Sequence, residues 1–120
     1  NIHIKVQGAA SEAEALEVGR AIARNNLFKT AIFGNDPNWG RILAAIGTTS
    51  AAFDPYDIDV SMNSVLISSK GMPAADRSTV DLTGREVAIE IDLHSGNEVA
   101  TVVTNDLTHA YVEENSAYSS

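Results

Sequence analysis

Apolar side chains stand at every second position in Ile2-His3-Ile4-Lys5-Val6, in Ile58-Asp59-Val60-Ser61-Met62 and along Val87 to Leu93. Successive side chains of a strand point to opposite sides, so a chain with this repeated period must build a sheet with one buried face. Elsewhere the period changes. Ser11 followed by Glu14 has the spacing of a capping box, and Ala15, Leu16, Val18, Gly19, Ile22, Ala23 and Leu27 supply an apolar stripe. That pattern predicts a helix from Glu12 to about Asn25, closed by the Asn25-Asn26 pair.

The densest local signal is Lys29 to Arg41, which combines Gly34, an Asn35-Asp36-Pro37 turn and the chain's only tryptophan, Trp39. Lys29 to Phe33 alternates enough to predict a short strand. Asp36 and Pro37 match an N-cap and first helical position, so a helix is expected from Pro37 through Ile46, with Gly47 as its stop. Trp39, Ile42, Leu43 and Ile46 would share its buried face.

Phe53-Asp54-Pro55 signals a turn, with Asp54, Asp57 and Asp59 marking entry into an edge strand. Ile58 to Met62 can pair with Val65 to Ser69 across Asn63-Ser64 as a hairpin. Lys70 to Thr83 holds Gly71 and Pro73 and reads as a connection with room for a short turn of helix. Val87 to Leu93, the turn His94-Ser95-Gly96-Asn97 and Val99 to Thr104 predict a second hairpin, and Asp106 is a cap for a last helix through about Asn115. No repeat or low-complexity linker interrupts this order, and the fold class it predicts is α+β, with helices packed on a mixed or antiparallel sheet. Residues 1–120 read as a single domain.

The formal net charge is -8. Dispersed acids would repel a phosphate backbone, so nucleic acid is not an expected partner. No apolar run approaches the ~20 residues that span a bilayer, and Asn1 to Val6 lacks the form of a signal peptide, so a cytoplasmic location is expected and no membrane partner. There is no cysteine to form a disulfide, a nucleophile or a thiolate metal site. The chain opens without Met on a strand-like segment, and upstream sequence is expected.

Chemistry-bearing residues are scattered. His3, His94 and His109 fall in a strand, a turn and a helix with no shared motif, and each is expected to have a surface or capping role. No His-x-x-x-His or dense carboxylate loop predicts a metal, and Gly34, Gly40 and Gly47 match no nucleotide-binding fingerprint, so no cofactor is expected. Lys29, Asn38 and Arg41 either face a carboxylate substrate or serve the fold, with Asp36 capping, Trp39 packing and Arg41 paired to an acid. The second alternative has the greater weight, since caps and ion pairs are common.

The unit KTAIFGNDPNWGRILAAIG closely resembles a segment of the ornithine acetyltransferase family, the bifunctional glutamate N-acetyltransferases of arginine biosynthesis. IHIKVQGAASEAEALEVGRAIARNNL resembles the strand and helix before it, FDPYDIDVSMNS the stretch after it, and NDLTHAYVEENSAYSS the family's carboxyl terminus. Essentially the whole chain is covered, in order.

The resemblance implies the C-terminal part of the β chain of a larger, self-cleaved α/β sandwich enzyme of the N-terminal-nucleophile type. It implies transfer of an acetyl group from N2-acetylornithine to glutamate through an acetyl-enzyme on a Thr upstream of this chain, with acetyl-CoA as a further donor in some members. Its partners would be the α chain and the nucleophile-bearing segment of the same precursor, in a heterotetramer of two α and two β chains. No catalytic residue would lie in this chain. Asn115 and Ser120 match the family's substrate-binding Asn and terminal hydroxyl residue, and an amide and a hydroxyl suit the amino and carboxylate ends of an amino acid. Many relatives carry Thr at Ser120, which keeps the hydroxyl, and Arg at Ser119, which removes a cation here. The competing readings are an N-terminal-nucleophile aminopeptidase or hydrolase and a non-catalytic small-molecule-binding regulatory domain.

Overall fold

A computed structural model of the chain describes residues 1–105 and the backbone of 110–112. The chain enters through β1 (Ile2–Ala9), then forms α1 (Glu12–Ala23), α2 (Asn26–Phe33) and α3 (Trp39–Ile46). There follow β2 (Asp59–Met62), β3 (Val65–Ser69), β4 (Met72–Pro73), a 3-10 turn at Arg77–Thr79, β5 (Val87–Asp92), β6 (Glu98–Thr104) and β7 (Ala110–Val112). The strands form one sheet in the order β4-β3-β2-β5-β1-β6-β7. β1 runs parallel to β5 and antiparallel to β6, so the sheet is mixed and the fold is α+β, as the alternating and helical periods predict.

The period-two residues face the helices. Ile2, Ile4 and Val6 of β1, Val87, Ile89 and Ile91 of β5, and Val60 and Met62 of β2 are all buried in one core with Val18, Ile22, Phe28, Ile32, Ile42 and Ile46 of the helices. α1 packs on β1 and β6. Gly19 allows the close approach, since a Cβ there would lie 2.8 Å from Val102 Cγ2. His3, Lys5 and Gln7, the intervening positions of β1, fall on the opposite face of the sheet, which is more open to solvent.

Several local expectations are corrected. Lys29 to Phe33 is not a strand but the latter part of α2, where Phe28 and Ile32 at helical spacing are both buried. α1 ends at Ala23 with Arg24 as its C-cap rather than at the Asn25-Asn26 pair, and Asn25 instead starts α2, its Oδ1 accepting the Phe28 N–H at 2.9 Å. α3 begins at Trp39 rather than Pro37, because Asn38 and not Asp36 is the N-cap, accepting the Arg41 N–H at 3.2 Å. The β2–β3 hairpin forms as expected, with Asn63 and Ser64 at φ 48° and 68°.

β5 and β6 do not form the second expected hairpin: β1 is inserted between them. An alternating pattern specifies which face of a strand is buried, not which strand lies beside it. For the same reason β2 is interior, between β3 and β5, and not the edge strand that its acidic entry suggested. Of the helix expected from Asp106 to Asn115, residues 110–112 are instead β7, paired antiparallel with β6, and the rest lies outside the described residues.

Candidate functional site

The turn between α2 and α3 is tied to the distant connection before β5. Asn35 adopts φ 55°, a left-handed conformation that Asn tolerates, and its Oδ1 accepts the Leu82 N–H at 2.8 Å. Asp36 forms an ion pair with Arg77 in the 3-10 turn. Its carboxylate therefore serves a tertiary link and not the helix cap.

Lys29, Asn38 and Arg41 do not form one convergent set. Lys29 is buried within α2, at 6% exposure. Asn38 spends its carbonyl oxygen on the cap of α3, while Arg41 is exposed, with no ion pair among the described residues. Trp39 is partly buried against the core. The turn thus serves the fold through Asn35, Asp36, Asn38 and Trp39, and leaves Arg41 facing outward.

A cleft of about 220 Å³ lies between the end of α2 and the segment entering β5. Buried Ile2, Ile32, Leu82 and Val87 form its floor, and exposed Asn35 and Arg85 stand at its rim. Small-molecule pockets usually measure roughly 300–1,000 Å³, so this hollow fits a side-chain-sized group.

The histidines have carboxylate partners that the linear sequence hides. His3 Nε2 is 2.7 Å from Glu86 Oε2, and this hydrogen bond holds the Glu86 carboxyl below its usual range. His94 Nε2 is 3.0 Å from Asp59 Oδ2, while the Ser69 hydroxyl donates to Asp59 Oδ1 at 2.6 Å. Asp59 is lowered first by that Ser69 bond and then by His94 and Lys70; burial opposes the shift. The carboxylate, not the imidazole, stands between hydroxyl and histidine. Ser69 therefore has a carboxylate and no imidazole beside it, and the trio is not a Ser-His-Asp triad. His109, Asn115 and Ser120 lie outside the described residues.

The Asp59, Asp92 and His94 cluster was missed in the sequence because its members become neighbours only through the pairing of β2 with β5. The one available signal was that Asp59 and Asp92 both occupy outward positions of alternating strands. Among the described residues no group of three or more His, Cys, Asp or Glu side chains could hold a metal ion. No described helix is long and apolar enough to cross a membrane.

The ArgJ family profile matches residues 1–120. The chain is 58% identical over all of its 120 residues to the arginine biosynthesis bifunctional protein ArgJ of Streptomyces avermitilis, of which it spans 31%. It is 56% identical over 98% of its length to ArgJ of Thermobifida fusca, again spanning 31% of that protein. The crystal structure of arginine biosynthesis bifunctional protein ArgJ from Bacillus halodurans superposes with a TM-score of 0.82 at 33% identity, covering 98% of this chain and 57% of that one. The chain thus spans about three tenths of the length of these curated relatives. With sequence and fold matched along essentially every residue, the chain belongs to the ArgJ family.

Proposed function

We propose that this chain is the C-terminal part of the β chain of a glutamate N-acetyltransferase that moves an acetyl group from N2-acetylornithine to glutamate in arginine biosynthesis. The observation that carries this reading is the 58% identity over all 120 residues to a relative named for arginine biosynthesis and for two activities. A Thr outside these residues, exposed by self-cleavage of the precursor, attacks the acetyl carbonyl. The C–N bond breaks, the departing amine of ornithine takes a proton, and the Thr holds the acetyl group as an ester. The amine of glutamate then attacks the ester, forming N-acetylglutamate and restoring the Thr hydroxyl. Acetyl-CoA is the candidate donor for the second activity.

In this reading the chain supplies scaffold and one edge of the pocket. Asn115 and Ser120 hold the amino and carboxylate ends of the substrate, through an amide that both donates and accepts and a hydroxyl that does the same. The assembly is a heterotetramer of two α and two β chains in the cytoplasm. The test is denaturing intact-mass analysis of the full-length protein before and after brief exposure to N-acetylornithine. Two chains from one precursor are expected, with one acetyl group gained by the chain that begins at Thr and ends in this sequence. A single uncleaved chain that never gains mass would overturn the reading. Acetyl loss at equal rate with and without glutamate would identify a hydrolase instead.

A further inference from the structure

Asp59 and Asp92 are direct partners in the antiparallel ladder between β2 and β5. Directly opposed side chains stand roughly 5 Å apart at Cβ, where two like charges weaken strand pairing. One residue answers that repulsion. His94 lies just beyond the end of β5 at φ 51°, and this left-handed bend brings its ring back over the pair. Its Nε2 is 3.0 Å from Asp59 Oδ2 and its Nδ1 3.5 Å from Asp92 Oδ1, while its backbone N–H donates to that same Asp92 oxygen at 3.0 Å. Ser69 and Gln7 hold the carboxylates from the other side, donating to Asp59 Oδ1 and Asp92 Oδ2.

The remaining charges favour a cation at His94. Asp57, in the loop before β2, adds a negative field, and Glu90 lines the same hollow as Asp59 and Asp92. Lys70, just beyond β3, acts on Asp59 in the opposite sense. An imidazolium donates from Nε2 to Asp59 and also sets a positive charge 3.5 Å from Asp92 Oδ1; a neutral ring keeps at most the single hydrogen bond and loses the attraction to both carboxylates.

We propose that His94, Asp59 and Asp92 form a proton-controlled clasp, which pins the turn after β5 to β2 when the imidazole is charged and lets that turn loosen when the proton leaves. The turn in turn secures the exit of β1, since Ser95 N–H donates to the Gly8 carbonyl at 2.7 Å and Leu93 N–H to the Gln7 carbonyl at 3.0 Å. Gly8 itself is at φ 68°, and a Cβ there would collide with Asp92 Oδ1. Loosening the turn therefore frees the bend from which α1 departs.

His94 is raised above the ordinary 6.5, first by its hydrogen bond to Asp59 and then by the charges of Asp92, Asp59 and Asp57 working against desolvation. Its contribution is complete below 6.5 and is lost as pH rises through the folded value. Asp59, lowered below 3.8, sets the acid limit. The clasp is closed in mild acid and opens on the alkaline side.

Hydrogen–deuterium exchange read by mass spectrometry on the full-length protein, corrected for intrinsic exchange, tests this at pH 6 and pH 8.5. Peptides covering residues 93–97 should lose about two- to fivefold protection between these pH values in the wild type, the range of a partly exposed ion pair. His94→Gln, which can bond but not charge, should be equally unprotected at both. Asp59→Asn, which leaves only the Asp92 contact, should show a diminished pH dependence and provides the readout if His94→Gln does not accumulate. Equal exchange of wild type and His94→Gln at pH 6, or an undiminished pH dependence in Asp59→Asn, overturns the proposal.

Discussion

Asn63 occupies the tip of the β2–β3 hairpin at φ 48°, donates from Nδ2 to the Asp81 carbonyl at 2.7 Å and accepts the Ala88 N–H at 2.8 Å. Asn63→Ala removes both bonds and places a Cβ-bearing residue without that local compensation in the left-handed region. Each bond contributes about 0.5–1.5 kcal/mol and the conformation costs about 1–2 kcal/mol, so a loss of about 2–5 kcal/mol is expected in denaturant unfolding. Asn63→Gly should recover the conformational part alone. Activity divides differently. Arg41→Ala should leave stability within about 0.5 kcal/mol, because Arg41 is exposed and unpaired among the described residues. Under the proposed function Asn115→Ala should lower kcat/KM by about 10- to 100-fold at unchanged stability, the effect of losing a substrate hydrogen bond. If Arg41→Ala lowers turnover as well, a functional role for that side chain is recovered. Local partners were legible in the sequence: Ser11 accepts the Glu14 N–H at 3.1 Å, as the capping box predicts. The pairing of His94 with Asp59 depends on strands brought together from far apart in the chain, and no spacing rule encodes it.

At the scale of elements, the period of the apolar residues was readable and the assembly of elements only in part. The core faces of β1, β2 and β5 follow directly from alternation, and α1 from its stripe. α2 was misread because Ala31-Ile32-Phe33 is a short apolar run that suits either a strand or a buried helix. The deciding signal is Asn25, a residue type that suits the end of one helix as well as the start of the next. If Asn25 starts α2, Asn25→Ala should cost about 1 kcal/mol and fray the first turn of that helix, seen as faster amide exchange at Leu27 and Phe28. A variant with unaltered exchange there would show that packing of Phe28 and Ile32 alone holds the helix. The inserted position of β1 was unreadable for a different reason. β5 and β6 are neighbours in sequence, yet both present to β1 the register that keeps Ile2, Ile4 and Val6 under the helices, and burial of that central strand outweighs the shorter connection.

For the whole molecule, two electrostatic effects compete as pH falls. The chain carries a net charge of -8 and an isoelectric point near 4.6, so acidification first relieves self-repulsion. Protonation of His94 works in the same direction. Against this stand Asp59, Asp76 and Asp81, all held below 3.8 by hydrogen bonds, from Ser69, Ser78 and Thr83 respectively, and Glu86, held below 4.5 by His3. Their contribution is present above the unfolded values and disappears as pH drops through the lower, folded ones. The chain has one continuous core among its described residues and a radius of gyration of 12.9 Å, near the roughly 13.6 Å usual for a compact domain of this length. Its unfolding midpoint, followed through Trp39 fluorescence, should be highest between the isoelectric point of 4.6 and the ordinary histidine value of 6.5, and fall below 3.8. Raising the salt concentration should raise the midpoint at pH 8, where repulsion dominates, more than at pH 5. A midpoint that climbs steadily to pH 8 would overturn both the self-repulsion and the His94 arguments, because the hydrogen-bonded carboxylates already give their full contribution well below that pH.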